Sequence, residues 1–236
     1  MPTDFSTLGF PVETLKDLAK VANKVVTLST EVSAPKGKFL CWAPGSGEEL
    51  WLKVNERNEV FRVSGHYSGS SRVRVRLIEA IWPPDTGADD MFRAWTDPAE
   101  GAEDRVCEIV FDSPDGSRHT DLKLPVVATA QIAAFAHTIE VHDLPEETAE
   151  SSSPPPTSMP PGAFAAGGST EAFFSGRVLD SAMRKTSLTG KQYVWMSAQT
   201  LGGLYDVVVH PILLAEPPAP GAVVTGSFRL SGRLVD

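Results

Sequence analysis

The pattern of apolar and polar positions predicts one helix near the start of the chain and a second one further on. Between Pro11 and Val25, apolar residues recur at spacings of three and four, which is typical of a helix with one apolar stripe. One helix cannot bury such a stripe alone, so we expect it to pack on a sheet. The same helical spacing returns between Thr129 and Ile139.

Extended patterns fill the chain between these two helices. The runs 49–55 and 59–65 flank Glu56-Arg57-Asn58, and this arrangement predicts a hairpin. The clearest alternation follows from Ser71 to Trp82, where Val73, Val75 and Leu77 point one way and arginines point the other. The three arginines are Arg72, Arg74 and Arg76.

This arginine stripe has two interpretations. It could be a surface for anions or nucleic acid, or it could be the solvated face of an antiparallel strand. Three cations on one strand repel each other, so the second interpretation requires carboxylates on the neighbouring strands. Glu49, Glu56 and Glu59 are close in sequence and could supply them.

Closely spaced strand patterns return after Ser169 and continue to the end of the chain. The runs are rich in Val, Phe, Tyr and Trp and are bounded by Gly, Pro or Asp, as short strands joined by turns are. They read EAFFSGRVLD, KQYVWMSAQT, LYDVVVH and GAVVTGSFRLSGRL. This part of the sequence predicts a small β-barrel of OB-like type.

An abrupt change of composition separates the two β-rich parts. Residues 146–168 are Pro, Ser, Gly and Ala with three Glu and almost no large apolar residue, which predicts a flexible linker. We therefore expect an α+β domain over residues 1–145, with an antiparallel sheet and two helices, and an OB-like barrel over residues 169–236. The predicted fold class is mainly β.

The formal charge of −9 argues against broad, charge-driven binding to nucleic acid or to anionic membranes, because both require clustered Lys and Arg. The region 169–236 is nearly neutral, so a local site remains open there. Residues 1–10 lack the pattern of a signal peptide, and no apolar run is long enough for a membrane span. These features predict a soluble cytoplasmic protein.

The sequence holds none of the motifs that would indicate an enzyme or a cofactor. It has no phosphate-binding loop, no HExxH and no nucleophile elbow. Cys41 and Cys107 lack metal or redox spacing, although the sequence allows one disulfide between them. His137 and His142 are five residues apart, which does not place both rings on one helix face. We expect no catalytic residues, no metal and no cofactor.

The C-terminal strands offer one candidate binding face. If this segment is a strand, successive side chains point to opposite faces. Tyr193 and Trp195 then share one face, and Val194 and Met196 share the other. Tyr205 begins the next strand. If the aliphatic face is the barrel interior, three arginines fall outward with the two aromatic residues: Arg177, Arg229 and Arg233. Aromatic rings interleaved with arginine are used to bind single-stranded nucleic acid. The same composition is typical of a face that packs on another domain or subunit.

Several segments resemble bacterial two-domain proteins of unassigned function with a C-terminal OB-like β-barrel. The runs LGGLYDVVVHP and GAVVTGSFRLSGRL resemble the closing strands of that barrel. The segments GFPVETLKDLAK, EELWLKV and AQIAAFAH resemble recurring segments of the same group. The resemblance implies a fold and carries over no functional residues.

Three functional hypotheses follow. The leading one is a non-enzymatic binding or scaffold protein whose partner is another protein. The second is single-stranded nucleic-acid binding through Tyr193, Trp195, Arg177 and Arg229. The third is an immunity-type or inhibitor protein, in which an acidic patch between Asp85 and Asp104 masks a basic partner.

Overall fold

The structure is a computed structural model that describes residues 2–35, 37–82, 89–96, 107–142 and 169–235. Its described part is mainly β, which confirms the predicted fold class. Two α-helices, Asp4–Thr7 (α1) and Leu15–Val26 (α2), precede the strands. The expected linker, and the acidic stretch from Asp85 to Asp104 except for residues 89–96, lie outside the described residues.

Helix α2 confirms the first predicted helix. Thr14 caps it, because its Oγ1 accepts a hydrogen bond from the backbone N–H of Asp17 at 3.2 Å. Val21, Ala22 and Val25 form the buried face. The part of the predicted apolar stripe formed by these three residues is therefore packed as expected.

An antiparallel sheet of four strands follows α2 and runs in chain order. Its strands are Thr30–Ser33 (β1), Lys38–Trp42 (β2), Glu48–Val54 (β3) and Val60–Tyr67 (β4). The predicted hairpin joins β3 to β4, and Asn58 in its turn has a φ of 61°, which Asn tolerates better than most residues. We call α1, α2 and this sheet the N-terminal layer.

Eight further strands form a closed barrel in the order β10-β11-β8-β5-β6-β7-β12-β9. Four strands precede residue 143: Val73–Ile81 (β5), Asp90–Thr96 (β6), Glu108–Ser113 (β7) and Val126–His142 (β8). Four follow residue 168: Glu171–Lys185 (β9), Gln192–Thr200 (β10), Gly203–Val209 (β11) and Val223–Val235 (β12). A short 3-10 turn, Gly116–His119, follows β7.

The barrel takes strands from both halves of the chain, which corrects the expected self-contained barrel over residues 169–236. Strand β11 runs parallel to β8, and β12 runs antiparallel to β8 along its whole length. Four strands alone would leave two edges of unpaired backbone groups, and the strands of the first half satisfy them. Strand patterns in the sequence do not show which edges will pair.

The second predicted helix is wrong, because residues 126–142 form strand β8. Ile132, Ala134 and Ala136 point into the barrel, while Ala133 and Phe135 point outward and are also buried. A strand that is buried on both faces has a continuous apolar run instead of alternation. Periodicity alone cannot distinguish such a run from a buried helix.

Two apolar cores result from this arrangement. The first fills the barrel and includes side chains from all eight of its strands. The second lies between the outside of the barrel and the N-terminal layer, where Leu8, Phe10 and Trp42 meet Phe135 and Trp195. One flank of the barrel is therefore covered by the N-terminal layer.

Candidate functional site

The predicted aromatic face of β10 points out of the barrel, but the N-terminal layer covers it. Val194 and Met196 lie in the barrel core, while Tyr193 and Trp195 lie in the second core. Tyr193 is 0% and Trp195 6% exposed. Tyr67 of β4 meets Tyr193 edge-on, with the ring centres 6.1 Å apart. Bases cannot stack on covered rings, so this face forms an internal interface.

Tyr205 does not join that face, because its side chain lies inside the barrel. Its ring meets Phe174 edge-on, with the ring centres 5.5 Å apart. Burial raises the pKa of Tyr205 well above its ordinary value. This tyrosine therefore contributes to the barrel core and presents nothing to a ligand at the outer surface.

Arg229 also belongs to the internal interface. Its guanidinium pairs with Asp112 of β7 and, at 2.6 Å, with Asp4 of α1. The pair to Asp4 ties the first helix to the barrel. Arg177 is separate from it, half-buried on β9 beside Gln199 of β10.

Arg233 lies at the centre of a second ionic contact between the layers. It pairs with Glu49 of β3 at 3.3 Å and with Asp115 at 3.2 Å. Its guanidinium also lies over the Trp51 ring, 4.3 Å from the ring centre. Arg229 and Arg233, two of the three arginines that the sequence assigns to a ligand, thus hold the N-terminal layer on the barrel.

The arginine stripe of β5 has the predicted alternation, with Arg72, Arg74 and Arg76 exposed and the intervening residues buried. Its strand lies between β6 and β8, so Glu49 of β3 and Glu56 and Glu59 of the β3–β4 turn are not on neighbouring strands. Arg72 donates to the carbonyl oxygens of Gly69 and Ser71. Arg74 and Arg76 also have interaction partners.

A buried chain of polar groups crosses the interface, and the sequence gives no sign of it. His66 Nε2 lies 2.7 Å from Gln131 Oε1, and His66 Nδ1 lies 2.9 Å from Ser231 Oγ. Gln131 turns its amide N–H toward Asp206, so its oxygen accepts from His66 Nε2–H. Nδ1 then accepts from the Ser231 hydroxyl.

Asp206 ends this chain as a fully buried carboxylate with three donors. Trp195 Nε1 donates at 2.9 Å, the Ser71 backbone N–H at 2.9 Å and Gln131 Nε2 at 3.1 Å. Burial, with the nearby Arg233 cation, lowers the pKa of His66 to about 3, so its ring is neutral at pH 7. A serine that donates to histidine could in principle act as a nucleophile. This pair is sealed from solvent, and the network therefore joins the two layers.

Two of the exposed apolar side chains lie in a groove between α2 and β4. The groove has a volume of about 370 Å³. Leu15 of α2 is 85% exposed and Phe61 of β4 is 51% exposed. Phe61 is the extra residue of a β-bulge, because Arg62 pairs with Lys53 while Val60 pairs with the next residue of β3. We call this concavity the α2–β4 groove.

Sequence reasoning places Leu15 in the buried stripe of the helix and so misses the groove. The stripe is wider than the sheet that covers it, and its outer edge stays open. Three exposed lysines follow one another along α2 at spacings of four: Lys16, Lys20 and Lys24. Lys20 pairs with Asp17 at 2.9 Å on the helix surface.

Comparison with known protein families, curated proteins and solved structures found no match. The resemblance to two-domain bacterial proteins therefore stays a prediction. Within the described ranges, no helix has the length and apolar character needed to span a membrane. Among the same residues, no group of three or more His, Cys, Asp or Glu side chains could hold a metal ion. Both cysteines are free.

Proposed function

We propose that the protein acts by binding another protein, and that the binding site is the α2–β4 groove. The observation that carries this proposal is the pair Leu15 and Phe61, one on each wall of the same concavity and both largely exposed. A single exposed apolar side chain is ordinary on a protein surface. Two of them around one groove are typical of a partner site.

The groove suits the apolar face of an amphipathic helix. Besides Leu15 and Phe61, its lining includes the small and aliphatic residues Leu18, Ala19 and Ala22, with Asn23 and Arg62 as its polar members. A helix that places apolar residues at i, i+3 or i+4, and i+7 along such a groove buries both exposed side chains. Full burial of each contributes about 1.5–3 kcal/mol before the costs of association.

Charge complementarity favours an acidic partner. Lys16, Lys20 and Lys24 form an exposed row on α2, the helix of one groove wall, in a protein with a net charge of −9. None of the three lines the groove, and Lys20 pairs with Asp17. Carboxylates on the flank of a bound helix would meet this row. Such contacts at the rim mainly raise the association rate and select the partner.

Addition of a strand to β4 fits less well, although β4 is an edge strand. The bulge at Phe61 interrupts the regular backbone pattern in the stretch that lines the groove. Arg62 also pairs with Asp89 at 3.5 Å, and Ser64 bonds to the same carboxylate, beside the adjoining part of β4. These contacts disfavour a continuous added strand.

The other two hypotheses have less support. Nucleic-acid binding through Tyr193 and Trp195 requires the N-terminal layer to leave the barrel, which would expose the second core. The acidic inhibitor hypothesis rests on residues 85–104, most of which lie outside the described residues. Neither is proposed here as the function.

The proposal is tested with a fluorescent acidic amphipathic helical peptide as the probe, in anisotropy titrations at low and high salt. We expect saturable binding that weakens with salt. The variant Phe61→Ser should weaken it by at least about tenfold, as loss of a central aromatic anchor does. Ile212→Ser is the matched control, because Ile212 is 77% exposed and does not line the groove. It should leave the binding unchanged.

Two results would overturn the proposal. One is equal binding of the peptide by the wild type and the Phe61→Ser variant. The other is concentration-dependent self-association that Phe61→Ser abolishes and the peptide cannot displace, which would make a second copy of this chain the occupant. Sedimentation of both proteins over a range of concentrations distinguishes this case.

A further inference from the structure

A second concavity lies between the segment that precedes α2 and the neighbouring ends of β10 and β11, and it shares no lining residue with the α2–β4 groove. Its volume is about 430 Å³. Its accessible apolar lining consists of Pro11 and Pro211, since Phe10 is 0% and Val12 8% exposed. We call these two prolines its apolar floor. The polar side chains along it are Ser6, Glu13, Lys191, Gln192 and His210. We call it the His210 cleft.

Hydrogen bonds hold its two walls together. Thr189 Oγ1 donates to the carbonyl oxygen of Gly9 at 2.8 Å, and Thr186 Oγ1 donates to that of Leu8. Gly9 has a φ of 80°, a conformation that side-chain-bearing residues rarely adopt. These hydrogen bonds fix Leu8 and Gly9 on the connection between β9 and β10, so the cleft is preformed.

The two basic side chains of the cleft offer donors to a ligand. His210 Nδ1 accepts from the backbone N–H of Ile212 at 3.1 Å, which leaves the proton of the neutral ring on Nε2. Burial and the nearby Lys191 ammonium lower the pKa of His210. In the described part of the chain, no carboxylate pairs with Lys191 at ion-pair distance.

We infer that the His210 cleft binds a small organic anion, with its carboxylate toward Lys191 and His210 and its apolar body on Pro11 and Pro211. A charge-assisted hydrogen bond from Lys191 and a neutral one from His210 suit a carboxylate. The apolar floor suits a hydrocarbon body better than it suits an inorganic ion. Glu13 also lines the cleft and repels an anion, so the carboxylate should lie on the Lys191 side.

The test follows the His210 ring signals by NMR while the full chain is titrated with butyrate. Butyramide, which has the same shape without the charge, is the matched probe. We expect a saturable shift of the His210 signals with butyrate and a much weaker one with butyramide. His142, on β8 and outside the cleft, is the internal control and should not shift.

Two charge variants have opposite expected effects. Lys191→Gln should weaken butyrate binding by about tenfold, the loss expected for one charge-assisted hydrogen bond. Glu13→Gln should tighten it by about twofold, because one exposed like charge is removed. Both residues are exposed, so neither change should alter the fold.

The inference is overturned by an equal response to butyrate and butyramide, or by a Lys191→Gln variant that binds as the wild type does. Inorganic phosphate is the third probe. If it shifts the His210 signals at the same concentration as butyrate, the apolar floor contributes nothing and the organic class is wrong. Failure here leaves the α2–β4 groove untouched, since the two sites share no lining residue.

Discussion

The N-terminal layer has two regions that differ both in composition and in exposure to solvent. Its inner face packs aromatic and charged side chains on the barrel, where Tyr193 and Trp195 are almost fully buried. Its outer edge leaves Leu15 and Phe61 exposed along the α2–β4 groove. The first region has the composition of a binding surface and is closed. The second has an ordinary composition and is open.

The difference teaches that composition identifies an interface without saying whether the interface is internal. Aromatic rings beside arginines are favoured wherever two surfaces meet. On the inner face, Arg229 and Arg233 already have carboxylate partners, so nothing is left to attract a ligand. On the outer edge, the exposed parts of Leu15 and Phe61 are not covered by another part of the described chain. Mutations of the inner face should therefore lower the stability of the fold, and mutations of the outer edge should lower the affinity for the partner.

The largest effect is expected at Asp206, at the centre of the inner face. Asp206→Ala removes the acceptor of Trp195 Nε1, Gln131 Nε2 and the Ser71 N–H, and all three donors stay buried. The free energy of unfolding should fall by about 4 kcal/mol, since unsatisfied buried donors are costly. Urea denaturation measures it. Asp206→Asn keeps one oxygen and should lose about half as much.

A slightly smaller loss is expected at Arg233. Arg233→Met keeps much of the contact with Trp51 but leaves Glu49 without its cation and Asp115 with Arg118 alone. The free energy of unfolding should fall by about 3 kcal/mol at pH 8. The loss should shrink as the pH falls, because the pKa of Glu49, already raised by burial, rises further without Arg233 and protonation removes the unpaired charge. Arg57→Met, in the exposed hairpin, is the control.

The pH dependence of stability should reveal His66. Burial lowers its pKa in the folded protein to about 3, while the unfolded chain takes up the proton near the ordinary value of 6.5. The unfolded state therefore binds the proton first as the pH falls, and stability is lost between these values. Between pH 6.5 and 5 the contribution is about 2 kcal/mol.

His66→Gln should reduce this slope, and denaturation at several pH values measures it. The groups facing His66 are Arg229 and Arg233, which stay charged throughout this range. Burial raises the pKa of Glu49 and Asp89, and each contributes with the opposite sign, losing stability as the pH rises. An identical slope in wild type and His66→Gln would show that His66 is not buried in its neutral form.

The sequence predicted well those parts of the fold that depend on local patterns. The first helix, the β3–β4 hairpin and the alternation along β5 were all predicted from the spacing of apolar residues and from turn chemistry. Strand β8 was missed because it is buried on both faces, which removes alternation. The joint barrel was missed because the pairing of β11 and β12 with β8 depends on contacts between residues far apart in sequence.

The candidate sites were harder to predict, for a related reason. The sequence shows which side of β10 carries Tyr193 and Trp195, but exposure depends on what covers that side. His66, Gln131 and Asp206 are scattered over the chain, and only the fold brings them together. Phe61 becomes prominent because of a bulge, and a one-residue shift of register leaves no mark in the spacing of apolar residues.

The smallest effect on stability is expected at the open edge. Leu15→Ser and Phe61→Ser should each change the free energy of unfolding by no more than about 0.5 kcal/mol, because both side chains already contact water. Leu50→Ser, fully buried on β3, should cost far more. A large loss at Leu15 or Phe61 would mean that these residues support the fold, and the groove would no longer be a free surface. A small decrease in the free energy of unfolding together with loss of peptide binding is the result that distinguishes a docking site from a core.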